Sequence, residues 1–364
     1  MPAHLPALGQ EGGQWGDTLN TFVRSIVFNV QDYQADPTGS DANAATTRQG
    51  IQNAIDAAVA SGNPGGVVYL PQGTYVVDNA INLKSGIILR GAGYNTVIKK
   101  KSSSGSFTIL RDGAGQVQKV TIENLRIDGN KSGGQTETIA TEAAQGGIHL
   151  YSGATENIIR NIWVENTMHS GIYLGGAGNT VVDCTIKNIG TGGNTLGKSG
   201  IVTDNSGSST LLARNVISNV AEIGLAIFSG GTASAVSDNR IDNCGVAGIH
   251  VLGSNCVTIT GNTVSTCRGA GLLIGAAVGV TSNPSNSCAI SMNTVSGTTG
   301  TPGHGIYLNQ GNYHSVFANV TTGNTGTGVI FTNITYSSVT GNVVSGNAAG
   351  FTTSGTTNIA AANS

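Results

Sequence analysis

The chain has 364 residues, of which 55 are Gly, 38% are apolar and only 10% are charged. So few large side chains cannot build the thick core of an ordinary domain of this size, yet recurrent Val and Ile and a net charge of −2 argue against disorder. The 17 basic and 19 acidic residues give no basic field for nucleic acid, and Gly, Ser, Asn and Thr interrupt every apolar stretch too soon for a membrane span.

The N-terminal region divides into an arm and a helix. Residues 1–25 are predicted as a separate arm without the apolar segment of a secretory leader, and residues 26–364 as one further domain. Residues 43–61 carry the one convincing amphipathic pattern of the chain. The helix predicted there would cover an otherwise unpaired sheet end, and its apolar face consists of Ile51, Ile55, Ala58 and Val59.

Short strands follow the helix. The segments GGVVYLPQGTYVV (65–77) and GIILRGAGYNTVIKK (86–100) alternate apolar and polar residues and are interrupted by Gly and Pro. The second ends on three lysines, Lys99 to Lys101, which are interpreted either as a polyanion contact or as a solvated turn beside a strand edge.

A repeat then occupies the rest of the chain. A Gly-apolar-x-apolar unit first occurs at 147 (GIHL) and last at 350, so that eight intervals span 203 residues, about 25 residues each. Between these units runs a second pattern in which an Asn follows alternating apolar residues, as in TITGNTV (258–264). Such short strands cannot bury their apolar faces alone, so successive units are expected to stack and pair.

The predicted fold is therefore all-β, a right-handed parallel β-helix with a short N-terminal capping helix. Its turns (rungs) would rise about 4.8 Å each, placing equivalent residues above one another. Asn suits the tight turns because it tolerates left-handed backbone and can hydrogen-bond along the stack, and Gly supplies positive φ.

The first third of the chain also resembles a known superfamily. The run VQDYQADPTGSDANAATTRQGIQNAIDAA (30–58), the two strand segments above and RIDGN (126–130) resemble the opening of pectate-lyase-like β-helix proteins. This superfamily includes polysaccharide lyases, glycoside hydrolases, alginate epimerases and phage tailspikes, so the resemblance implies a carbohydrate-related function. The Asp pair of polygalacturonases and the tyrosine and Asp-Pro-His segment of alginate epimerases have no counterpart here.

Stacking the repeat in register predicts columns of side chains on one face. In a Gly-Ile-x-Leu strand the apolar residues point inward and the alternate ones outward. Position +2 from Gly gives His149, Tyr173, His250 and Tyr307; position +4 gives Tyr151, Asp204 and Phe228; position −2 gives His169, Lys198 and Glu222. Long connections at 129–146 and 188–199 are expected to wall a groove beside them.

Two mechanisms fit these residue types. Asp204 and Glu222 would act as paired carboxylates in glycoside hydrolysis or transglycosylation, which is the favoured alternative. In the other, as in a lyase or a C5-epimerase, a base takes the C5 proton of a uronate, a cation or amide neutralises its carboxylate and an acid serves the leaving oxygen. Lys198 or His169 together with Tyr173 would supply these parts. Residues 269–364 contain no Asp, Glu, Lys or Arg, so this chemistry must lie upstream. Further predicted substrate contacts are His149, Tyr151, Phe228, His250, Tyr307, Asn309, Asp128 and Lys131.

A third, non-catalytic hypothesis is a glycan-binding tailspike or adhesin shaft, for which a homotrimer is expected. In each case the predicted partner is a polysaccharide or oligosaccharide and the predicted location is extracellular or on a phage virion, with no nucleic acid and no membrane. No cofactor or metal is predicted, because the five cysteines match no zinc spacing. Cys244 and Cys267 each lie four residues before a repeat Gly and should stack, either as a disulfide or as two buried thiols.

Overall fold

The computed structural model confirms the predicted right-handed parallel β-helix. It describes residues 26–62, 65–113, 116–135, 145–191, 197–204, 207–276, 283–354 and 359–361. Each turn of the chain contributes one strand to each of three parallel sheets, here called A, B and C. The predicted arm at 1–25 lies outside the described residues.

Sheet A has thirteen described strands in sequence order along the axis. They are Val27–Asn29, Val67–Leu70, Ile88–Gly91, Thr121–Glu123, Ile158–Arg160, Thr180–Val182, Leu211–Ala213, Ala235–Ser237, Thr258–Thr260, Ala289–Ser291, Ser315–Phe317, Ser338–Thr340 and Ile359–Ala361.

Sheet B has eleven described strands, each following a strand of sheet A after a short turn. They are Gly73–Val77, Thr96–Lys100, Arg126–Asp128, Trp163–Glu165, Thr185–Ile189, Val216–Val220, Arg240–Cys244, Thr263–Ser265, Thr294–Ser296, Val320–Thr322 and Val343–Ser345.

Sheet C also has eleven described strands and contains the Gly-apolar-x-apolar repeat. They are Ile81–Asn82, Leu110–Arg111, Ile148–Leu150, Ile172–Leu174, Ile201–Thr203, Ile223–Phe228, Ala247–Leu252, Ala270–Gly275, His304–Asn312, Thr327–Thr335 and Ala349–Thr353.

The capping helix, α1, comprises Ala44–Ala60 and follows two short 3-10 helices, Val30–Tyr33 and Asp41–Asn43. Ile51, Ile55 and Ala58 are buried as predicted, whereas Val59 is 43% exposed and was wrongly assigned to the buried face. None of the described helices has both the length and the apolar character that a membrane crossing requires.

The core runs along the axis as one continuous column of Ile, Val and Leu from all three sheets. Strands of sheets A and B bury one face, as in Thr258–Thr260, where only Ile259 is buried. Strands of sheet C from Ile148–Leu150 to Ala270–Gly275 bury both faces over most of their length, whereas the last, Ala349–Thr353, is largely exposed. This part of sheet C therefore differs from the other two sheets in that its outward side chains are also covered.

The repeat Gly is explained by close approach of neighbouring rungs. A Cβ on Gly171 would lie 2.7 Å from the carbonyl oxygen of Gly200 and 2.9 Å from the side chain of Ile186. The backbone of Gly171 is not in the left-handed region, so the expected positive φ is not the reason for this Gly. The left-handed turn positions are frequently taken by Asn instead, for example Asn166 and Asn188.

A buried asparagine ladder runs along the turn between sheets A and B. Its members, each at most 1% exposed, are Asn215, Asn239, Asn262, Asn293, Asn319 and Asn342. At each step the main-chain N–H and the side-chain Nδ2 of one Asn donate to Oδ1 of the next, with both distances at 2.9 Å from Asn239 to Asn262. The predicted hydrogen bonding of Asn along the stack is confirmed.

Lys100 corrects both interpretations of the lysine run. Its side chain is 2% exposed and points into the molecule, with Nζ 4.5 Å from the centre of the Phe107 ring. Nζ is buried and has no hydrogen-bond partner among the described residues. Burial lowers the pKa of Lys100 to about 8, so this side chain is neither a polyanion contact nor part of a solvated turn.

We expect Lys100→Met to stabilise the protein. In the unfolded chain a lysine keeps its proton up to a pH of about 10.4, whereas the folded chain loses it above about 8. The folded state thus binds fewer protons between these values, and the free energy of unfolding rises with pH across that window. At pH 7 the variant should gain up to roughly 3 kcal/mol and lose this pH dependence, as measured by urea unfolding.

The exposed Lys119 provides the matched control for this substitution. Lys119→Met should leave both the free energy of unfolding and its slope against pH nearly unchanged. If Lys100→Met and Lys119→Met behave alike, the burial cost assigned to Lys100 is wrong.

All five cysteines are free thiols, and Cys244 and Cys267 are fully buried in the core. Their neighbours Asp242 and Ser265 pair in register, which confirms the predicted stacking. Of the two alternatives, the structure shows two buried thiols.

Candidate functional site

The outward column of sheet C has the register that the sequence predicts. His149 pairs with Tyr173, Tyr173 with Val202, and the pairing continues through Ala226, His250, Leu273 and Tyr307. These side chains are only 0–6% exposed, and several pack into a second apolar cluster outside the main core. The column is therefore a covered surface and not the open one that the outward direction suggested.

At the third to fifth strands of sheet C, three predicted site residues come together. The Tyr173 hydroxyl donates a hydrogen bond of 3.0 Å to Oδ2 of Asp204, one rung further along. The ring of His149 lies 4.3 Å from that of Tyr173 and 4.0 Å from that of Tyr151, measured between centroids. A phenol, a carboxylate and an imidazole thus form one cluster at the carboxyl ends of the sheet C strands.

The electrostatics of the cluster are set by burial. His149 is 4% exposed, and its Nδ1 is buried without a hydrogen-bond partner among the described residues. Burial lowers the pKa of His149 to about 4, because the charged imidazolium loses its hydration. At neutral pH the imidazole is uncharged and has a nitrogen lone pair available to accept a proton.

The residues at position −2 lie at the other end of the strands. Lys198 is 2% exposed, and its Nζ donates hydrogen bonds of 3.1 Å to the carbonyl and hydroxyl oxygens of Thr191. Glu222 Oε2 accepts from the main-chain N–H of Lys198, and burial raises the pKa of Glu222. His169 precedes the strand Ile172–Leu174, whereas the Tyr173 hydroxyl bonds to Asp204 beyond the end of the next strand, Ile201–Thr203. The predicted pairing of Lys198 or His169 with Tyr173 stays a prediction, with no contact to Tyr173 seen for either residue among the described hydrogen bonds.

The same geometry corrects the pairing of Asp204 with Glu222. Thr203 pairs with Ile227, so Asp204 lies beside Phe228, six residues after Glu222. Six strand residues span roughly 20 Å, and both carboxylates reach back toward the preceding rung. Glycosidases place their two carboxyl groups about 5–10 Å apart. Asp204 and Glu222 therefore cannot flank one glycosidic bond.

Asp128 and Lys131 serve the turn after sheet B. Asp128 Oδ1 accepts hydrogen bonds from the main chain of Asn130 and the side chain of Asn166. Lys131 Nζ donates to the carbonyl oxygens of Asn188 and Gly190, at 2.9 and 2.7 Å. These contacts hold neighbouring turns together, and the structure does not bring the two residues to the His149 cluster.

The remaining predicted contacts lie further along the axis. Nε2 of His250 is 3.0 Å from the Gly275 carbonyl oxygen, and its ring meets Phe228 edge to face at 5.3 Å. His250 is four rungs from His149, roughly 19 Å. Tyr307 lines a separate cleft of about 250 Å³ with Leu273 and Pro302, and Asn309 Nδ2 donates to the Ala276 carbonyl oxygen. Of the two connections predicted to wall the groove, 136–144 and 192–196 lie outside the described residues.

Comparison with protein families gives the family. The model for rhamnogalacturonase A/epimerase, pectate lyase-like proteins matches residues 27–273, about two thirds of the chain. The chain belongs to this family. A second model, described as periplasmic copper-binding protein (NosD), matches residues 193–364, which is under half of the chain. No group of three or more His, Cys, Asp or Glu side chains in the described ranges could hold a metal ion.

Solved structures show how widely this pectate lyase-like fold is shared. The chain is similar to the A-module of the Azotobacter vinelandii mannuronan C-5 epimerase AlgE4, at 19% identity and a TM-score of 0.67 over 92% of this chain and 99% of the module. It is also similar to the Dettilon tailspike protein, at 15% identity and 0.65 over 95% of this chain and 70% of the tailspike. The Streptococcus pneumoniae adhesin PfbA matches at 15% and 0.64, over 93% and 91%. No curated relative matches the chain in sequence.

Two polar residues beside the cluster were missed by the sequence analysis. Arg111 pairs in register with His149, and Asp112 follows it, 2% exposed, accepting the main-chain N–H of Tyr151 at 2.9 Å. Their strand, Leu110–Arg111, belongs to sheet C but lacks the repeat Gly. Extending the column one rung before Gly147 would have found them.

Proposed function

We propose that this chain is an enzyme that removes the C5 proton of a uronate residue in a polysaccharide, as a lyase or a C5-epimerase. The observation that supports this best is the cluster in which Tyr173 bonds to Asp204 beside the neutral imidazole of His149. This proposal keeps Tyr173 from the predicted proton-transfer group and assigns the base to His149, which the sequence predicted as a substrate contact.

In the proposed reaction His149 accepts the C5 proton, leaving an enolate-like carbanion next to the sugar carboxylate. For elimination, the bond from C4 to the leaving oxygen breaks, a double bond forms between C4 and C5, and Tyr173 donates its phenolic proton to that oxygen. For epimerisation, Tyr173 instead returns a proton to the opposite face of C5. Asp204 positions the phenol in both cases.

The electrostatics favour proton abstraction over hydrolysis. A general base must be unprotonated at the working pH, and burial gives His149 this property throughout the neutral range. Hydrolysis instead needs one carboxyl group on each side of the glycosidic bond, whereas Asp204 and Glu222 are about 20 Å apart. The proposed substrate is thus attacked at carbon and not by water at the anomeric centre.

Access to His149 depends on Tyr151. The imidazole is 4% exposed, while the Tyr151 ring stacked on it is 41% exposed. We propose that the sugar displaces the Tyr151 ring from this stack and takes its place against His149. Aromatic side chains are suited to this exchange because their faces pack on the apolar face of a sugar ring as well as on each other.

A glycan partner and an extracellular or virion-associated location belong to the same proposal. The similar structures include a polysaccharide epimerase, a tailspike and a surface adhesin. The epimerase is named for a polysaccharide, mannuronan, and the adhesin for a cell surface, which supports the proposal without fixing the sugar.

The test measures proton abstraction directly. The protein is incubated in D₂O with alginate, polygalacturonate, rhamnogalacturonan and a neutral glucan. We expect deuterium at C5 of one acidic polymer, or an unsaturated product seen by its ultraviolet absorbance, and neither with the neutral glucan. New reducing ends without deuterium or unsaturation would show a hydrolase and overturn the proposal.

The second candidate is a non-catalytic glycan-binding shaft. It is favoured by one observation: residues 269–364, about a quarter of the chain, carry no charged residue, while exposed aromatic residues such as Tyr313 and Tyr336 stack at 5.5 Å on the surface there. In the D₂O experiment this candidate predicts binding to a polymer with no chemical change in it.

A further inference from the structure

A cleft of about 620 Å³ adjoins the His149 cluster on its N-terminal side. It is lined by residues of the first two sheet C strands and the turns after them, including Asn82, Lys84, Arg111, Asp112 and Val117. Its volume lies in the range of small-molecule sites. Because Arg111 is the neighbour of His149 in the outward column, the cleft lies one rung, about 4.8 Å, from the cluster.

Two cations lie in this cleft with different partners. Arg111 donates through Nε to Oδ1 of Asn82 at 3.0 Å, and no carboxylate among the described residues forms an ion pair with it. Lys84 Nζ pairs with Asp56 of helix α1 at 2.8 Å, but both side chains are nearly half exposed. An exposed pair of this kind contributes little energy, so an incoming anion can compete for Lys84 while Arg111 receives it directly.

The third group is a buried acceptor. Asp112 is 2% exposed; its Oδ2 accepts the N–H of Tyr151, and its Oδ1 has no hydrogen-bond partner among the described residues. A buried carboxylate oxygen left without a donor costs free energy. A ligand hydroxyl that donates to Oδ1 would remove this cost.

We propose that this cleft is a subsite for a uronate sugar next to the one that reacts. The guanidinium of Arg111 binds the sugar carboxylate, with Lys84 as a second cation, and Asp112 accepts a hydrogen bond from a ring hydroxyl. A planar guanidinium matches a carboxylate through two parallel hydrogen bonds, while a neutral sugar can satisfy Asp112 only. The subsite therefore selects acidic polymers, and it rests on the proposed function for the reacting site beside it.

Binding of short sugars to the full chain, measured by calorimetry, tests this subsite without any need for turnover. The probes are trigalacturonate, trimannuronate and the neutral mannotriose. We expect Arg111→Gln to weaken the binding of an acidic trimer about tenfold or more, because a charge-assisted hydrogen bond is lost. Arg111→Lys keeps the positive charge but cannot form two parallel hydrogen bonds to a carboxylate. Its affinity for the acidic trimer should therefore lie between those of the wild type and Arg111→Gln.

Arg240→Gln is the matched control, since it removes one positive charge from an exposed arginine of sheet B, several rungs along the axis from the cleft. It should leave the binding of every trimer unchanged, and a thermal melt of each variant checks that the fold is intact. The subsite is overturned if the wild type binds neither acidic trimer, or if Arg111→Gln weakens mannotriose as much as the acidic trimers. Arg111-dependent binding without any C5 exchange would keep the subsite and reject the proposed reaction.

Discussion

Replacing Tyr173 by Phe is expected to reduce the rate of C5 deuterium exchange or elimination by two to four orders of magnitude, roughly the contribution of a positioned acid or base. Replacing His149 by Gln should have a similar effect, because the amide cannot accept the C5 proton. Neither side chain is part of the main apolar core, so both variants should remain folded. Turnover and the thermal unfolding midpoint are measured on the same samples.

The outward column supplies the matched control. Tyr307 occupies the same register position as Tyr173, is equally buried at 6%, and lies five rungs beyond it. Tyr307→Phe should leave the turnover unchanged, and so should Glu222→Gln at the far end of the strands. Loss of activity in Glu222→Gln together with full activity in Tyr173→Phe would place the reaction at the other edge of sheet C.

The pH profile reports on the base itself. Protonation of His149 blocks proton abstraction, and its pKa lies near 4 because the ring is buried. The acid limb of kcat/KM, which reports the free enzyme, should therefore fall near pH 4 and not near the ordinary histidine value of about 6.5. An acid limb near 6.5 would show that His149 is solvated before the substrate binds.

Most of the fold could be predicted from the sequence because each sequence repeat of a solenoid forms one turn of the chain, so that spacing in the sequence determines position along the axis. Once Gly147 and Gly171 are recognised as equivalent, every residue at a fixed offset falls into one column, and the pairing of His149 with Tyr173 follows. The capping helix was predictable for a similar local reason, since its apolar periodicity is a property of residues 43–61 alone. Val59 is exposed although its neighbour Ala58 is buried, which places Val59 at the edge of the apolar face of the helix and not within it.

The site was less predictable, because offset along a strand determines distance as much as register does. Glu222 and Asp204 differ by one rung, which is about 4.8 Å, but also by six strand positions, which is about 20 Å. The prediction that both carboxylates share one site took account of the distance between rungs but not of the longer distance along the strands. The burial of the site residues could not be predicted either. The strand determines that His149 points outward, but how far its side chain is buried depends on tertiary packing, which the repeat pattern does not determine.

Asn262→Ala is expected to lower the free energy of unfolding by about 4 kcal/mol, the largest loss we predict for a single polar side chain in this protein. Oδ1 of Asn262 accepts two hydrogen bonds of 2.9 Å, from the main-chain N–H and the Nδ2 of Asn239. Its own Nδ2 donates to Oδ1 of Asn293 and to the Val236 carbonyl oxygen. Alanine removes all of these hydrogen bonds at a position that is only 1% exposed.

Two further variants separate burial from hydrogen bonding as the cause. Asn286 forms a similar contact to Asn255 on the surface, so Asn286→Ala should cost less than about 1 kcal/mol because solvent takes over the bonds. Asn215 is the first member of the buried ladder. Its Oδ1 accepts a hydrogen bond from the main-chain N–H of Cys184, whose side chain has no amide group that could be left without a partner. Asn215→Ala should therefore cost less than Asn262→Ala but more than Asn286→Ala. Urea unfolding of the three variants measures this order, and equal losses would show that the ladder contributes through shape and not through its hydrogen bonds.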